Sequence, residues 1–427
     1  MTHLRYAGAV AVQPVPVPPQ TAAERVARHN ARWYFTGLAA SLVGNSAMSL
    51  VAGVWVKSLT QSSAQAGLVG ACAYAGTVVA PLAGLVADRL PRRRLLLRLN
   101  LLAAATVLPL LLVRSGADTW LLFAVMAAYG VEATLMDPAE DALFAQMFSD
   151  AFRRRINGWR LTIQETGRLA SPLLGAGLFV LLGGGAVAAL DAATFLVAAL
   201  VITRLRVDDA PPARPAEAER FGPALRAGVS HITHTAGLRP VAIAATLVMA
   251  LSGAGVAAQY SLVHGLGERP AFLGVLSALL GAGSIVAALS AGRLIDRYGE
   301  SRLAIVGLID YAAGDLLRAS GWLPAAVAGS LVLGFALPYV FLATLNLAQR
   351  LTPQHLQGRV SAALTLSLFG PAAPMQALGA LLIAHATYPA ILVGSAVVSL
   401  AIGGWLGLRS AHRSERSGPS VSGRPGG

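Results

Sequence analysis

The sequence predicts an all-α integral membrane protein, with twelve transmembrane helices arranged as two six-helix bundles. Three observations carry this. Only 12% of the 427 residues are charged and 55% are hydrophobic, whereas soluble domains carry about 25% charged residues. Twelve apolar stretches approach the roughly 20 residues that a helix needs to cross a bilayer. A short charged motif also occurs twice, 208 residues apart. The first copy is Gly84-Leu85-Val86-Ala87-Asp88-Arg89, continuing as Leu90-Pro91-Arg92-Arg93-Arg94; the second is Gly292-Arg293-Leu294-Ile295-Asp296-Arg297. Both read G-x-x-x-D-R on an expected tight turn between two apolar stretches, the pattern of a chain built from two similar membrane halves.

The expected spans are 33–56, 65–87, 95–113, 119–137, 158–182, 186–203, 239–263, 271–295, 302–320, 322–347, 359–385 and 388–408. The longest interruption, 204–238, holds Pro211-Pro212, Arg214-Pro215 and mixed charges. It is the expected linker between bundles at 33–203 and 239–408. Residues 1–32 lack the apolar core of a signal peptide and contain Val15-Pro16-Val17-Pro18-Pro19, so they are expected to form a disordered arm. Residues 409–427, rich in Ser, Gly, Pro and Arg, are expected to form a disordered tail.

Charge placement sets the expected orientation. With both termini taken as cytoplasmic, 28 of the 33 Lys and Arg residues fall in cytoplasmic segments. Lys57, Arg114, Arg269 and Arg318 fall in outer loops, and Arg168 lies inside a span. This bias predicts a plasma or inner membrane protein with both termini and the linker in the cytoplasm. It also accounts for the net charge of +13 without a nucleic-acid partner, because arginines on that face lie against anionic lipid. The single cysteine, Cys72, excludes an intrachain disulfide and a cysteine metal cluster. No G-x-x-x-x-G-K-[ST] motif occurs, and the only lysine is Lys57, which argues against ATP hydrolysis within this chain. No arrangement of nucleophile and base, and no metal-ligand spacing, suggests an enzyme; no metal or cofactor is expected.

The repeated loop resembles the cytoplasmic motif of the major facilitator superfamily, found between its second and third helices and again between its eighth and ninth. The family usually has glycine where Pro91 stands. The resemblance implies a gate made of Gly84, Asp88, Arg89, Arg92, Arg93 and Asp137, with Gly292, Asp296 and Arg297 in the second half. Asp88 would dock on a helix N-terminus, which carries about half a positive charge. Asp137, Glu140 and Asp141 would be partners for Arg92 or Arg93. The fifth span carries Gly158, Gly167, Ser171-Pro172 and Gly175-Ala176-Gly177, and resembles the G-x8-G-x3-G-P-x2-G-G pattern of antiporters in this superfamily. Small residues there permit close helix packing and Pro172 a bend. With Met136-Asp137-Pro138-Ala139 and Gln349-Arg350-Leu351-Thr352-Pro353, followed by Gly358-Arg359-Val360, the chain is similar to the exporter branch that includes siderophore-secretion and macrolide-efflux proteins. That branch implies efflux of drugs, antibiotics or other secondary metabolites.

Ionisable groups inside a membrane are functional candidates because burying charge in lipid is costly. Glu132 lies ~8 Å and Glu165 ~10 Å from the cytoplasmic ends of their spans, at 1.5 Å per residue. Arg168 is one turn from Glu165, and the three form a group suited to binding and releasing a proton. Met126 stands where the family usually has a fourth-helix arginine. Asp315 can pair with Arg318; Asp310 has no evident partner. Candidate substrate-cavity groups are Asn45, Tyr74, Tyr129, Gln259, Tyr260, Tyr339, Asn346 and Gln376. His264 is expected at the outer surface. The function expected is proton-driven export of a small amphipathic molecule by alternating access, by a monomer in contact with lipid. An uptake or facilitative transporter of the same fold is the alternative, and a non-transporting receptor a distant one.

Overall fold

The computed structural model describes residues 22–74, 76, 90–207 and 221–416, and every regular element among them is a helix. The amino-terminal half comprises α1 (Ala22–Thr60), α2 (Ser63–Ala73), α3 (Arg92–Val107, continued by a 3-10 turn over Leu108–Leu112), α4 (Thr119–Met147), α5 (Asp150–Leu182) and α6 (Gly184–Arg204). α7 (Phe221–His234) follows. The carboxy-terminal half comprises α8 (Leu238–Ala254), α9 (Val256–Gly265), α10 (Leu273–Tyr298), α11 (Glu300–Ala319), α12 (Leu323–Leu351), α13 (Gln357–Phe369), α14 (Ala372–His385) and α15 (Tyr388–Arg416). Eight helices among the described residues are long and apolar enough to cross a membrane, or nine if a bent pair counts as one span. α11 falls outside that group because Glu300, Arg302, Asp310, Asp315 and Arg318 interrupt its apolar sequence. The second half of the expected span 65–87 lies outside the described residues.

Several expected boundaries shift. α1 begins at Ala22, inside the expected arm, because its first turns form a charged helix continuous with the apolar part. The 204–238 linker contains α7, which buries Gly228 and Ile232 on one face and turns by 109° into α8. α15 continues to Arg416, into the expected tail. α4 runs past the expected end at 137, with Pro138 inside it. α5 starts at Asp150 rather than 158, as an arginine-rich extension.

Hydroxyls within the apolar helices satisfy themselves locally. Ser49 donates to the Asn45 carbonyl at 2.8 Å, Thr246 to Ala242 at 2.9 Å, and Thr344 to Val340 at 2.8 Å. Such back-bonds let a hydroxyl enter an environment without water. Tight junctions between helices rest on glycine. Gly183 (φ 82°) and Gly299 (φ 83°) adopt the left-handed conformation that closes α5 and α10, each N–H returning to the carbonyl four residues back. The second G-x-x-x-D-R copy therefore occupies the last turns of α10, and the turn itself is Gly299.

The two halves meet at the end of the molecule opposite the Arg92–Arg94 cluster, hereafter the basic end. One apolar core there joins Val51, Val54 and Trp55 of α1 to Tyr260, Leu262 and Val263 of α9 and to Leu273 and Leu276 of α10. Small residues set the spacing. A Cβ on Gly67 would stand 2.5 Å from that of Ala257, and one on Gly274 would stand 2.5 Å from that of Ala176. Because lipid tails are as apolar as leucine, such close backbone approach, and not water exclusion, holds membrane helices together. Among the described residues, α7, α8 and α13 pack extensively only on elements of their own half, so the halves diverge toward the basic end.

Candidate functional site

Between the halves lies a cavity of about 380 Å³, lined by Ser46, Ser49 and Leu50 of α1, Pro172 of α5, Val256, Gln259 and Tyr260 of α9, and Leu273 and Ser277 of α10. No charged side chain lines it. Its walls are short aliphatic groups with a few hydroxyls and one amide, the composition of a site for small, partly apolar molecules. Two helices of the carboxy-terminal half are broken, the first beside this cavity. α8 gives way to α9 at Gly255, and α13 to α14 at Gly370-Pro371. Discontinuous helices free backbone groups at mid-membrane, as in transporter sites. The expected spans run unbroken across both places, although Gly253-Ala254-Gly255 and Gly370-Pro371 mark them in the sequence.

The structure divides the expected cavity residues. Gln259 and Tyr260 line the central cavity. Gln376 is buried near Gly70, where α14 meets α2, and its Oε1 has no partner. Tyr74 is half-buried at the end of α2. The others are placed differently. Asn45 and Tyr129 face each other inside the amino-terminal half, where the tyrosine hydroxyl donates to Asn45 Oδ1 at 2.9 Å. Tyr339 is buried in the carboxy-terminal half, 2.9 Å from the Ser290 hydroxyl. Asn346 is exposed and donates to the Leu342 carbonyl. In each case the helix is the expected one, but the residue points to a different side of it.

The antiporter-like fifth span packs in two directions. Gly167 lies against Leu42 of α1, and Gly175 against Ala47, whose Cα would be 2.8 Å from a glycine Cβ. Pro172 and Ala176 face Gly274 of α10, across the bundle interface. Gly158 has open space around it. The glycine pattern thus lets α5 lie on α1 while its proline turn reaches the other half.

Of the gate residues, Gly84, Asp88 and Arg89 lie outside the described residues. Arg92 and Arg93 do not pair with Asp137, Glu140 or Asp141. Arg92 donates to the Ala142 carbonyl at 3.3 Å, and Arg93 to the carbonyls of Ile202 and Thr203 at 3.1 and 2.8 Å. The last carbonyls of a helix lack intrahelical partners and carry partial negative charge, so α6 presents Arg93 with acceptors nearer than the acids. Glu140 instead accepts from Tyr34 at 2.8 Å, Asp141 pairs with Arg160, and Asp137 is exposed. In the second half Gly292 and Asp296 are exposed, and Arg297 lies over the Tyr298 ring. Arg350 grips Glu300 through two bonds of 2.8 and 3.0 Å.

Among the intramembrane ions, Glu132 is buried and accepts from Thr106 at 2.6 Å. The side chains of Glu165 and Arg168 lie outside the described residues. Asp315 and Arg318 are both buried, 3.6 Å apart. Asp310 has no hydrogen-bond or ion-pair partner among the described residues. Lys57 and Arg318, expected in outer loops, are buried in the last turns of helices; Lys57 Nζ donates to the Gln61 carbonyl and to Ser63. His264 is exposed. One buried acid went unnoticed in the sequence: Asp191, in the middle of α6 with no exposure. A lone acid within Val187-Ala188-Ala189-Leu190-Asp191-Ala192-Ala193 is the signal that marked it.

Residues 34–257 and 241–425 match the family described as Major Facilitator Superfamily. No curated protein matches the chain. Among solved structures, the nucleoside transporter NupG aligns with a TM-score of 0.73 at 12% identity, over 89% of this chain and 99% of that one. The POT family transporter PepTSo aligns with 0.70 at 12% identity, over 91% and 99%. A peptide transporter POT in complex with sulfate aligns with 0.69 at 16% identity, over 93% and 99%. At these identities the likeness shows the fold, and the fold leaves substrate and direction open. Two helical halves around a cleft, with the family match spanning both, establish that this chain belongs to the Major Facilitator Superfamily and is a multi-pass membrane transporter of small molecules.

Proposed function

We propose that this transporter exports a small amphipathic molecule from the cell, driven by proton exchange. The observation that carries the substrate class is the central cavity. Uncharged groups line it throughout: Ser46, Ser49, Ser277 and Gln259 to orient a ligand, and Leu50, Val256 and Leu273 to receive its apolar part. A strongly charged nutrient would find no counter-ion among them. The direction is supported by the fifth-helix pattern of Gly167, Pro172 and Gly175, which resembles antiporters of the superfamily and places Pro172 at the cavity wall. The Arg and Lys bias puts the basic end at the cytoplasm. The described conformation is then closed outward and open inward, ready to take its cargo from the cytoplasm. Glu165, with Glu132 as the alternative and Arg168 beside them, is the sequence's candidate for the proton-linked acid. The G-x-x-x-D-R motifs at 84–89 and 292–297 are the proposed cytoplasmic gate.

The test is transport into inverted vesicles with and without an imposed pH gradient. The probes are ethidium, a macrolide antibiotic and a catecholate siderophore. Gradient-dependent accumulation of at least one probe is expected. Accumulation that ignores the gradient rules out proton-driven export, and uptake by right-side-out vesicles instead reverses the direction.

A further inference from the structure

We propose that the proton site of this transporter is Asp191, enclosed within the amino-terminal bundle and away from the cavity between the bundles. The inference deepens the proton-driven reading above and rests on it for its role in transport.

The geometry around Asp191 is unusual. The side chain has no exposure, and neither carboxylate oxygen receives a hydrogen bond. Two hydroxyls lie against it, those of Tyr129 and Thr194. Both hydrogens are committed elsewhere, Tyr129 donating to Asn45 Oδ1 at 2.9 Å and Thr194 to the Asp191 backbone carbonyl at 2.8 Å. Both hydroxyls lie beside the carboxylate, and neither meets it in a well-formed hydrogen bond. A bare carboxylate in that setting has lost its hydration without a well-formed hydrogen bond or a cation to replace it, which disfavours the charged form. One proton removes the buried charge, and the resulting carboxylic acid has the Tyr129 and Thr194 hydroxyl oxygens beside it as acceptors. A metal ion would need several converging oxygens; a proton needs one.

The surroundings preserve this arrangement. A Cβ on Gly44 of α1 would fall 2.4 Å from Asp191 Oδ1 and 2.1 Å from Thr194 Oγ1, so only glycine leaves room for the acid. No cation among the described side chains neutralises it. α1 contributes Gly44 and Asn45; α3 contributes Asn100 and Thr106, while its Arg92 and Arg93 are bound to carbonyls at the basic end. α4 contributes Tyr129 and Glu132, and α5 carries Glu165 and Arg168, whose side chains are not described. The contrast is Asp315 in the other half, which keeps Arg318 at 3.6 Å.

A fissure approaches the site from the basic end and stops at Tyr129, which lies against Asp191. About 110 Å³ in volume, it runs between α1, α3, α4 and α6, from Asp137 and Glu140 past Ser41 and Asn100 to Glu132 and Tyr129. Glu132 has one oxygen bonded to Thr106 and the other, Oε2, buried without a partner. It sits three residues along α4 from Tyr129, on the same face, as a relay between fissure and Asp191. With the basic end at the cytoplasm, a proton taken up in the outward-open state leaves Asp191 through this fissure.

The experiment is infrared difference spectroscopy of the full chain in lipid nanodiscs, between acid and alkaline buffer, in H2O and D2O. The probe is the proton itself. The wild type is expected to show a carboxylic-acid carbonyl band that disappears on alkalinisation and is lost in Asp191→Asn. Tyr129→Phe removes a hydroxyl in contact with that acid, so the frequency of the band should shift. It serves as the second reading if Asp191→Asn fails to fold. An unchanged band in both variants overturns the assignment while leaving proton-driven export standing on another acid. Loss of the band in Asp191→Asn, with wild-type export indifferent to the gradient, removes the coupling role and with it the proton-driven reading.

Discussion

Gly53 on α1 and Tyr260 on α9 meet so closely that a Cβ on the glycine would stand 1.8 Å from the tyrosine hydroxyl oxygen. The contact joins the two bundles at the end opposite the arginines, beside the central cavity. It explains how this end closes. A large ring from one half is received where the other half has no side chain.

Gly53→Val is accordingly expected to hold this end apart. Closure can be read on intact cells by labelling Ser277→Cys, at the cavity wall, with an impermeant maleimide in a Cys72→Ser background. Labelling should rise about tenfold, which corresponds to ~1.4 kcal/mol of added cost to the closed state. Labelling at the parent level would show that the contact yields without cost.

Asp315 and Arg318 form a buried pair, and removing one partner strands the other charge. Arg318→Leu should lower stability by about 3–5 kcal/mol, as is usual for a buried pair broken on one side. Asp315→Asn combined with Arg318→Leu should recover most of it. Thermal unfolding of the purified protein in detergent measures both. A single variant as stable as the wild type would mean that Asp315 is not charged.

The orientation proposed here is tested at α7. With Gly222→Cys in the Cys72→Ser background, an impermeant maleimide should modify this exposed position only after the membrane is opened. Ready labelling of intact cells would invert the topology and, with it, the direction of transport.

Asp88→Asn tests the proposed gate. Expression and stability should match the wild type, while transport falls about tenfold as the inward-closed state loses ~1.4 kcal/mol. Full transport at equal expression would reduce the repeated loop to a topological anchor.

The sequence by itself determined the architecture. Apolar length placed most of the described helices, because a bilayer imposes a span length that is read directly along the chain. It also identified the pair Asp315 and Arg318, one turn apart on one helix. The tertiary structure decided which side of each helix faces what. Asn45 and Tyr129 were assigned to the cavity between the halves and instead face each other inside one bundle. Arg93 was expected to meet an acid and meets carbonyls. Asp191 gained its meaning only from Gly44, Tyr129 and Thr194, three residues spread across three helices. In lipid the apolar side chains pack on either side of a helix with nearly equal ease, so the periodicity that orients a helix in water is weak here. Facing is settled instead by close fits such as Gly53 with Tyr260, which exist only once the helices have come together.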